Sequence, residues 1–291
     1  WGPKLDLYLR EEDEPRLGAE IVRVLAEELP REFRGYSTHY DGPDAGLGWM
    51  APAGEGPLRH GVSLYTVGSF CRGYLGFDPR EGVSVTDWLS CPAQRLRTLQ
   101  SGRLYHDGLG ELAPIRAALR YYPADVWLYM MAVQWRRLAQ EEAFMGRAGQ
   151  VGDELGSRII AARLSEEVMR LAFLLERTYP PYSKWFGTAF LQLSCARRLR
   201  DPLALALSGD TWRAREAGLS QAYAIVAELH NALGVTAALP TEVSLYYDRP
   251  FRVIHGDAFA DALLAAIRDP EVQRLPTYLG SVDQFVDSTD V

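Results

Sequence analysis

The sequence predicts an α+β protein: a small mixed sheet, incomplete at its front edge, over residues 1–120, then a mainly α helical bundle over residues 121–291. Three observations predict it. Leu5, Leu7 and Leu9 alternate with polar neighbours, and residues 60–67 do the same, which is the period of a strand with two faces. From Asp125 onward the period lengthens, and Trp127, Met130, Met131, Gln134, Trp135 and Leu138 build one wide helical face. Ile160, Leu164, Val168, Leu171 and Leu175 then form an apolar stripe long enough for a core helix.

In chain order, residues 4–9 read as the first strand, with Asp6 and Tyr8 on the face opposite the leucines. Glu11 to Asp13 before Pro15 mark a helix start, and the amphipathic stretch 17–29 ends at Pro30. Residues 35–40 read as a second strand. Residues 41–59, rich in Gly and Pro, form a long loop, either a lid or a plain excursion. A third strand spans 60–67 and a short helix 69–75, with Val67-Gly-Ser-Phe as its cap rather than a phosphate turn. Residues 83–85 suggest a short edge element, Thr86 caps a turn through Trp88, and a helix covers 92–100. Residues 102–107 read as the last strand of the sheet and 111–120 as a helix on it, with Asp107 capping the turn between.

In the second half, Gly146 and Gly149 break the helix begun at 125, and the central helix runs to Tyr179-Pro180-Pro181. There proline removes the amide proton and disfavours helical geometry in the residue before it. A helix follows over 186–193, Asp201-Pro202 starts a short one, and Gly209-Asp210 caps a long one over 211–233 that ends at Gly234. The tail carries a loop at 246–250, a helix over 257–268 and a polar end over 283–290. Helices joined by short turns make a bundle.

The chain has 291 residues and a net charge of −7, which excludes general binding to nucleic acid or to an anionic membrane. No apolar run approaches the roughly 20 residues a membrane span needs. Cys71, Cys91 and Cys195 show no metal-type pairing and read as free thiols in a reducing cytoplasm. The five histidines never take a metal-binding spacing, and no nucleophile elbow or Walker-type loop occurs. No signal-peptide pattern opens the sequence, and a first residue of Trp1 points to the downstream part of a longer chain. The only lysines are Lys4 and Lys184, so Lys184, in Tyr182-Ser-Lys-Trp185 just past the proline corner, stands out as a cation among aromatic rings.

Several separated motifs carry a resemblance. Asp125-Val-Trp-Leu-Tyr, Gln134-Trp-Arg-Arg, Gln140-Glu-Glu-Ala-Phe, Gly146-Arg, Gly152-Asp-Glu-Leu-Gly-Ser157, Tyr179-Pro-Pro-Tyr-Ser-Lys-Trp185 and the closing Gly280-Ser-Val-Asp resemble the bacterial family described as the domain of unknown function 4037. The resemblance runs over essentially the whole chain. It implies a nucleotidyltransferase-like domain of the polymerase-β type followed by a helical domain. Residues 101–119 are also similar to the closing strand and helix of aminoglycoside-modifying nucleotidyltransferases. By this resemblance the complete protein transfers a nucleoside monophosphate from a nucleoside triphosphate to a hydroxyl of a small molecule or protein. Mg2+ would be held by paired carboxylates, and a Gly-Ser turn would offer amides to the triphosphate. The family places those parts just upstream of a Trp-Gly-Pro segment, and this chain begins at Trp1-Gly2-Pro3. They are therefore expected upstream, and the given sequence alone is expected to be inactive. The alternative is a catalytically inactive nucleotide-binding or interaction protein that keeps the fold.

The resemblance also assigns roles. A third metal-binding carboxylate belongs on a neighbouring strand, where this chain has Ser63; Asp6 is the candidate substitute. Lys184 is the candidate phosphate contact, with Tyr182 or Trp185 stacking on a base or sugar, against the alternative of a structural lysine. Arg147 and Arg163 add cationic groups, or else lie on a solvated face. Glu141 and Glu154 are candidate general bases for the acceptor hydroxyl. Asp153 joins this cluster at the Gly-rich bend, where a carboxylate also suits a helix start.

Overall fold

A computed structural model describes residues 5–41, 49–50 and 55–277. The expectations for Lys4, for much of the loop 41–59 and for the polar end 283–290 lie outside the described residues. The chain divides into two compact units, residues 1–82 with 104–117 and residues 83–103 with 118–291.

Strand β1 (Leu5–Leu9) leads into α1 (Glu14–Glu28), with Pro15 in its first turn. Strands β2 (Glu32–Phe33) and β3 (Tyr36–Ser37) pair antiparallel across Arg34 and Gly35, both of positive φ. Two such residues make the tight hairpin turn whose twist suits the strands. The strand expected over 35–40 is thus two short pairings, the second being β4 (Tyr40–Asp41) with β5 (Trp49–Met50). Strand β6 (Val62–Thr66) pairs parallel with β1, placing Asp6 beside Ser63 and Leu7 beside Leu64. Helix α2 (Val67–Tyr74) follows without a loop. Thr66 and Ser69 exchange side-chain bonds to each other's backbone N–H at 3.1 and 3.0 Å, so the Gly-Ser pair is a helix cap, as expected. A turn of 3-10 helix, Pro79–Glu81, carries Arg80 onto the buried carboxylate of Asp78 at 2.7 Å.

Helices α3 (Val85–Ser90) and α4 (Ala93–Gln100) belong to the second unit. Residues 83–85 form no edge strand, because Ser84 spends its hydroxyl capping α3 through the N–H of Asp87; Ser84, not Thr86, is the cap. Residues 102–107 form no strand either. Asp107 instead takes the N–H groups of Glu111, Leu112 and Ala113, opening α5 (Leu112–Ala118). Its capping role is therefore as expected.

The second unit continues with α6 (Ala124–Glu141), α7 (Phe144–Gln150), α8 (Glu154–Leu175), α9 (Ser183–Phe190), α10 (Ala196–Ser208) and α11 (Trp212–Ala232). An antiparallel pair, β7 (Ser244–Tyr246) and β8 (Arg249–Val253), then leads to α12 (Gly256–Ala266) and α13 (Pro270–Gln273). Helix α6 packs on α8 and α12, and α8 also carries α7, α10 and α11. Trp127, Met130, Met131, Trp135 and Met145 are core residues, as their spacing predicts. Trp135 stacks on Phe259 with centroids 4.2 Å apart, and the buried His230 meets Phe259 edge-on.

Two breaks fall elsewhere than predicted. Gly146 and Gly149 lie inside α7, where their bare Cα atoms let Phe251 and Trp212 approach. The chain turns at Glu142-Ala143 instead. Pro202 lies within α10 rather than starting it, buried against α11, whose packing offsets the one missing amide bond. Among the described residues, no helix is long and apolar enough to cross a membrane, and all three cysteines are buried free thiols.

Candidate functional site

The proline corner is held from three sides. Helix α8 ends at Leu175, and Arg177 takes a left-handed conformation with φ 49°. The buried Tyr179 then packs on Tyr121 and Tyr122 with centroids 4.9 and 5.1 Å away. Its hydroxyl donates to Leu119 O at 3.2 Å, and its carbonyl accepts from Arg97 Nη1 at 2.7 Å. Burial holds the Tyr179 phenol far above its ordinary value, so it stays a neutral donor. Pro180 and Pro181 cannot extend α8, and α9 starts at Ser183 in a new direction.

Between α4 and α9 lies an open groove of about 290 Å3. Helix α4 contributes Gln94, Arg97 and Thr98, with Ser101 at its C-cap; the other wall brings Pro181, Tyr182, Trp185, Thr188, Ala189 and Gln192. Both walls follow helical arithmetic, since residues three, four and seven apart share a face. Trp185 is 45 % exposed, yet its Nε1 donates to the Tyr182 hydroxyl at 3.1 Å, which fixes the ring plane. Lys184 Nζ lies 5.3 Å from the Trp185 ring centroid, at cation–π range. Thr98 and Ser101 donate their hydroxyl protons to the backbone carbonyls of Gln94 and Thr98, at 2.8 and 2.9 Å. Among the described residues the lining includes the Arg97 guanidinium and no carboxylate.

Of the expected site residues, the structure brings Tyr182 and Trp185 into one groove, with Lys184 on the Trp185 ring. The others lie elsewhere in the second unit or in the first. Glu141 is ion-paired with Arg163 and, at 3.2 Å, with Arg137. Glu154 pairs at 2.7 Å with Arg215, a guanidinium with no exposed surface that also donates to Ser157 Oγ and Gly209 O. These two carboxylates are engaged in ion pairs with Arg163, Arg137 and Arg215. Glu154→Ala is expected to cost about 1.5 kcal/mol of stability, the value of one hydrogen bond to a charged group, read from urea melts; an unchanged midpoint would deny Glu154 its structural role. Asp153 caps α8, accepting from Gly156 N at 2.8 Å. Arg147 lies over the Phe144 ring at 5.4 Å. Asp6 stands on β1 in the first unit, in register with Ser63.

Sequence reasoning missed Arg97, Gln94, Thr98, Thr188 and Gln192. Their signal was present: 94, 97, 98 and 101 form one polar face of a helix, and 181, 185, 188 and 192 another. Neither face carries a charged motif, so nothing distinguished them from a solvated surface.

The model of a family described as a domain of unknown function, DUF4037, matches residues 88–186. No curated protein and no solved structure matches the chain. The matched segment takes in Gln94, Arg97, Thr98, Ser101, Pro181, Tyr182 and Trp185, and ends within α9.

Proposed function

We propose, from the match of residues 88–186 to the DUF4037 family model, that the chain is a nucleotidyltransferase-like protein whose α4–α9 groove holds a substrate. The observation that carries this is the coincidence of groove and family segment. The two walls are far apart in sequence, and the segment that matches the family spans the distance between them. The complete protein would transfer a nucleoside monophosphate from a nucleoside triphosphate to a hydroxyl. Tyr182 and Trp185 supply flat apolar faces with polar edges, Arg97 a fixed positive charge, and Lys184 a second cation against the Trp185 ring.

The metal is a separate matter. Asp6 and Ser63, side by side on the parallel pair, offer one carboxylate and one hydroxyl. Mg2+ is held through one or two carboxylates together with the substrate phosphates. Among the described residues no group of three or more His, Cys, Asp or Glu could hold a metal ion. Asp6 and Ser63 do not by themselves make a magnesium site. Ser63 at the expected carboxylate position is the observation that favours the second reading, a protein that binds nucleotide without turning it over.

Thermal unfolding of the complete protein with each nucleoside triphosphate, with and without Mg2+, tests the proposal. A ligand that binds only the folded state raises the midpoint by mass action, by about 2.7 kcal/mol at a hundredfold excess over Kd. Metal-dependent stabilisation is expected for the transferase. Stabilisation that ignores Mg2+ supports the non-catalytic reading, and no stabilisation by any nucleotide sinks both.

A further inference from the structure

The motif Gly152-Asp-Glu-Leu-Gly-Ser157 contains one large side chain that the fold does not use. Asp153 caps α8, and Glu154 and Ser157 hold the buried Arg215. Leu155 lies between them in sequence and is 73 % exposed. A lone exposed leucine is ordinary on a protein surface, but Leu155 has neighbours of its own kind. Val151, in the turn before α8, is 81 % exposed, and Ile159, one turn further along, is 52 % exposed. Ala162 follows, also exposed. Positions 155, 159 and 162 share one side of a helix, so the start of α8 carries an apolar ridge open to solvent. The ridge closes at Glu166, which pairs with Arg170 at 2.9 Å. We infer that this ridge docks an acidic amphipathic helix of a partner protein, one whose apolar stripe is edged with carboxylates. The ridge shares no residue with the α4–α9 groove, so its partner is a matter apart from that groove's occupant.

The charges beside the ridge choose the partner. The helical repeat sets Arg158 on one flank and Arg163 on the other, and Arg147 stands one turn before Val151. Arg158 is exposed and makes no ion pair among the described residues. Arg163 is paired with Glu141, but the arginine side chain is 46 % exposed and the glutamate 13 %, so the pair turns its positive end to solvent. Of the nearby carboxylates, Asp153 is engaged with Gly156 N, and Glu154, itself partly exposed, with Arg215.

A helix with glutamates along its edges would bury its stripe on Leu155 and Ile159 and set carboxylates against Arg158 and Arg163. A helix with basic edges would meet like charge on both flanks. Two copies of this chain placed ridge to ridge would bring the same arginines to both sides of the contact. The net charge of −7 opposes an acidic partner only weakly, because exposed charges more than about 8 Å apart are largely screened at physiological salt. A ridge of three or four side chains suits a small, transient contact rather than a permanent one.

Fluorescence anisotropy of the whole chain with two labelled peptides tests this. Both are helices of about 18 residues with the same leucine stripe, one edged with glutamate and the other with lysine. The glutamate peptide is expected to bind saturably, and the lysine peptide at least about tenfold more weakly. Leu155→Asp should weaken the glutamate peptide about tenfold or more, and Arg158→Glu should narrow the gap between the peptides by about tenfold. Both positions are exposed, so neither change disturbs the core. Leu191→Asp is the control for general stickiness. Leu191 is 58 % exposed and lies three residues before Ser194, whose N–H bonds to Glu176 past the far end of α8. That variant should bind like wild type. No saturable binding of the glutamate peptide, equal binding of the two peptides, or a loss with Leu191→Asp as large as with Leu155→Asp would each overturn the inference. Wild type and Leu155→Asp are also expected to sediment alike; a dimer that Leu155→Asp dissolves would give the ridge to a second copy and overturn it too.

Discussion

Glu142→Gln is expected to change how the protein's stability depends on pH, by about 3 kcal/mol between pH 4.5 and pH 7. Glu142 closes α6 and is only 7 % exposed. It accepts the N–H of Ile254 at 2.8 Å, tying the β8–α12 junction to the end of α6. Burial pushes its carboxyl up from 4.5 to about 7, against the opposing pull of the Ile254, Gly256 and His255 backbone N–H groups. A raised pKa means that the folded state holds a proton the unfolded state has released. The stability Glu142 contributes is therefore fully present below pH 4.5 and is lost as pH rises to about 7, and a shift of that size is worth about 3 kcal/mol.

His230 runs the other way. It has no exposed surface, and burial pushes its imidazole down from 6.5 to about 4. Here the unfolded state binds the extra proton, so stability is present above pH 6.5 and is lost as pH falls through about 4. Between pH 4.5 and 6.5 the two groups oppose each other and nearly cancel. In Glu142→Gln the opposition is gone, and the variant's stability is expected to climb relative to wild type as pH rises through that window. Urea denaturation of both proteins at pH 4.5, 5.5, 6.5 and 7.5 reads this directly, because every other titrating group is common to the two and drops out of the difference. Parallel curves would show that the Glu142 carboxyl titrates normally in the fold.

Neither effect was visible in the sequence, and the reason is general to this chain. What the sequence made legible was local. The stripe from Ile160 to Leu175 did form the long helix α8, Asp107 did cap the next helix, and the Met and Trp residues from 127 onward did enter the core. What it hid was pairing between distant segments. Residues 102–107 alternate like a strand, but they take no strand conformation in the fold and lead instead to the Asp107 cap. Glu141 and Glu154 looked like free carboxylates because Arg163 and Arg215 are 22 and 61 residues away. Tyr182 and Trp185 were legible because proline punctuation and aromatic composition are local signals. Arg97, the cation that faces them across the groove, was one arginine among many.

The same distinction between local and tertiary signals separates two glycines, and Gly218→Ala is expected to cost about 3 kcal/mol or more. Alanine is the better helix former by about 1 kcal/mol, so on propensity alone this change in the middle of α11 would stabilise. The packing reverses the sign. A methyl built on Gly218 would lie 2.6 Å from both Pro202 O and Ala206 N, the carbonyl and amide four residues apart on α10. Backbone cannot swing aside as a side chain can, so the two helices would have to separate along their contact, or α10 would have to give up the hydrogen bond that spans those residues. Overpacking of this kind costs roughly 1–3 kcal/mol, with larger losses where the obstacle is rigid. Pro202 makes the site more sensitive, because α10 already lacks one backbone donor there. Gly187 in α9 is the control: a methyl there meets nothing within 4 Å, and Gly187→Ala should gain about 0.5–1 kcal/mol. Chemical denaturation of the two variants should therefore move the midpoints in opposite directions. If Gly218→Ala were to stabilise as Gly187→Ala does, α10 and α11 could not pack at the distance described, and the close approach that places Pro202 in the core would be wrong.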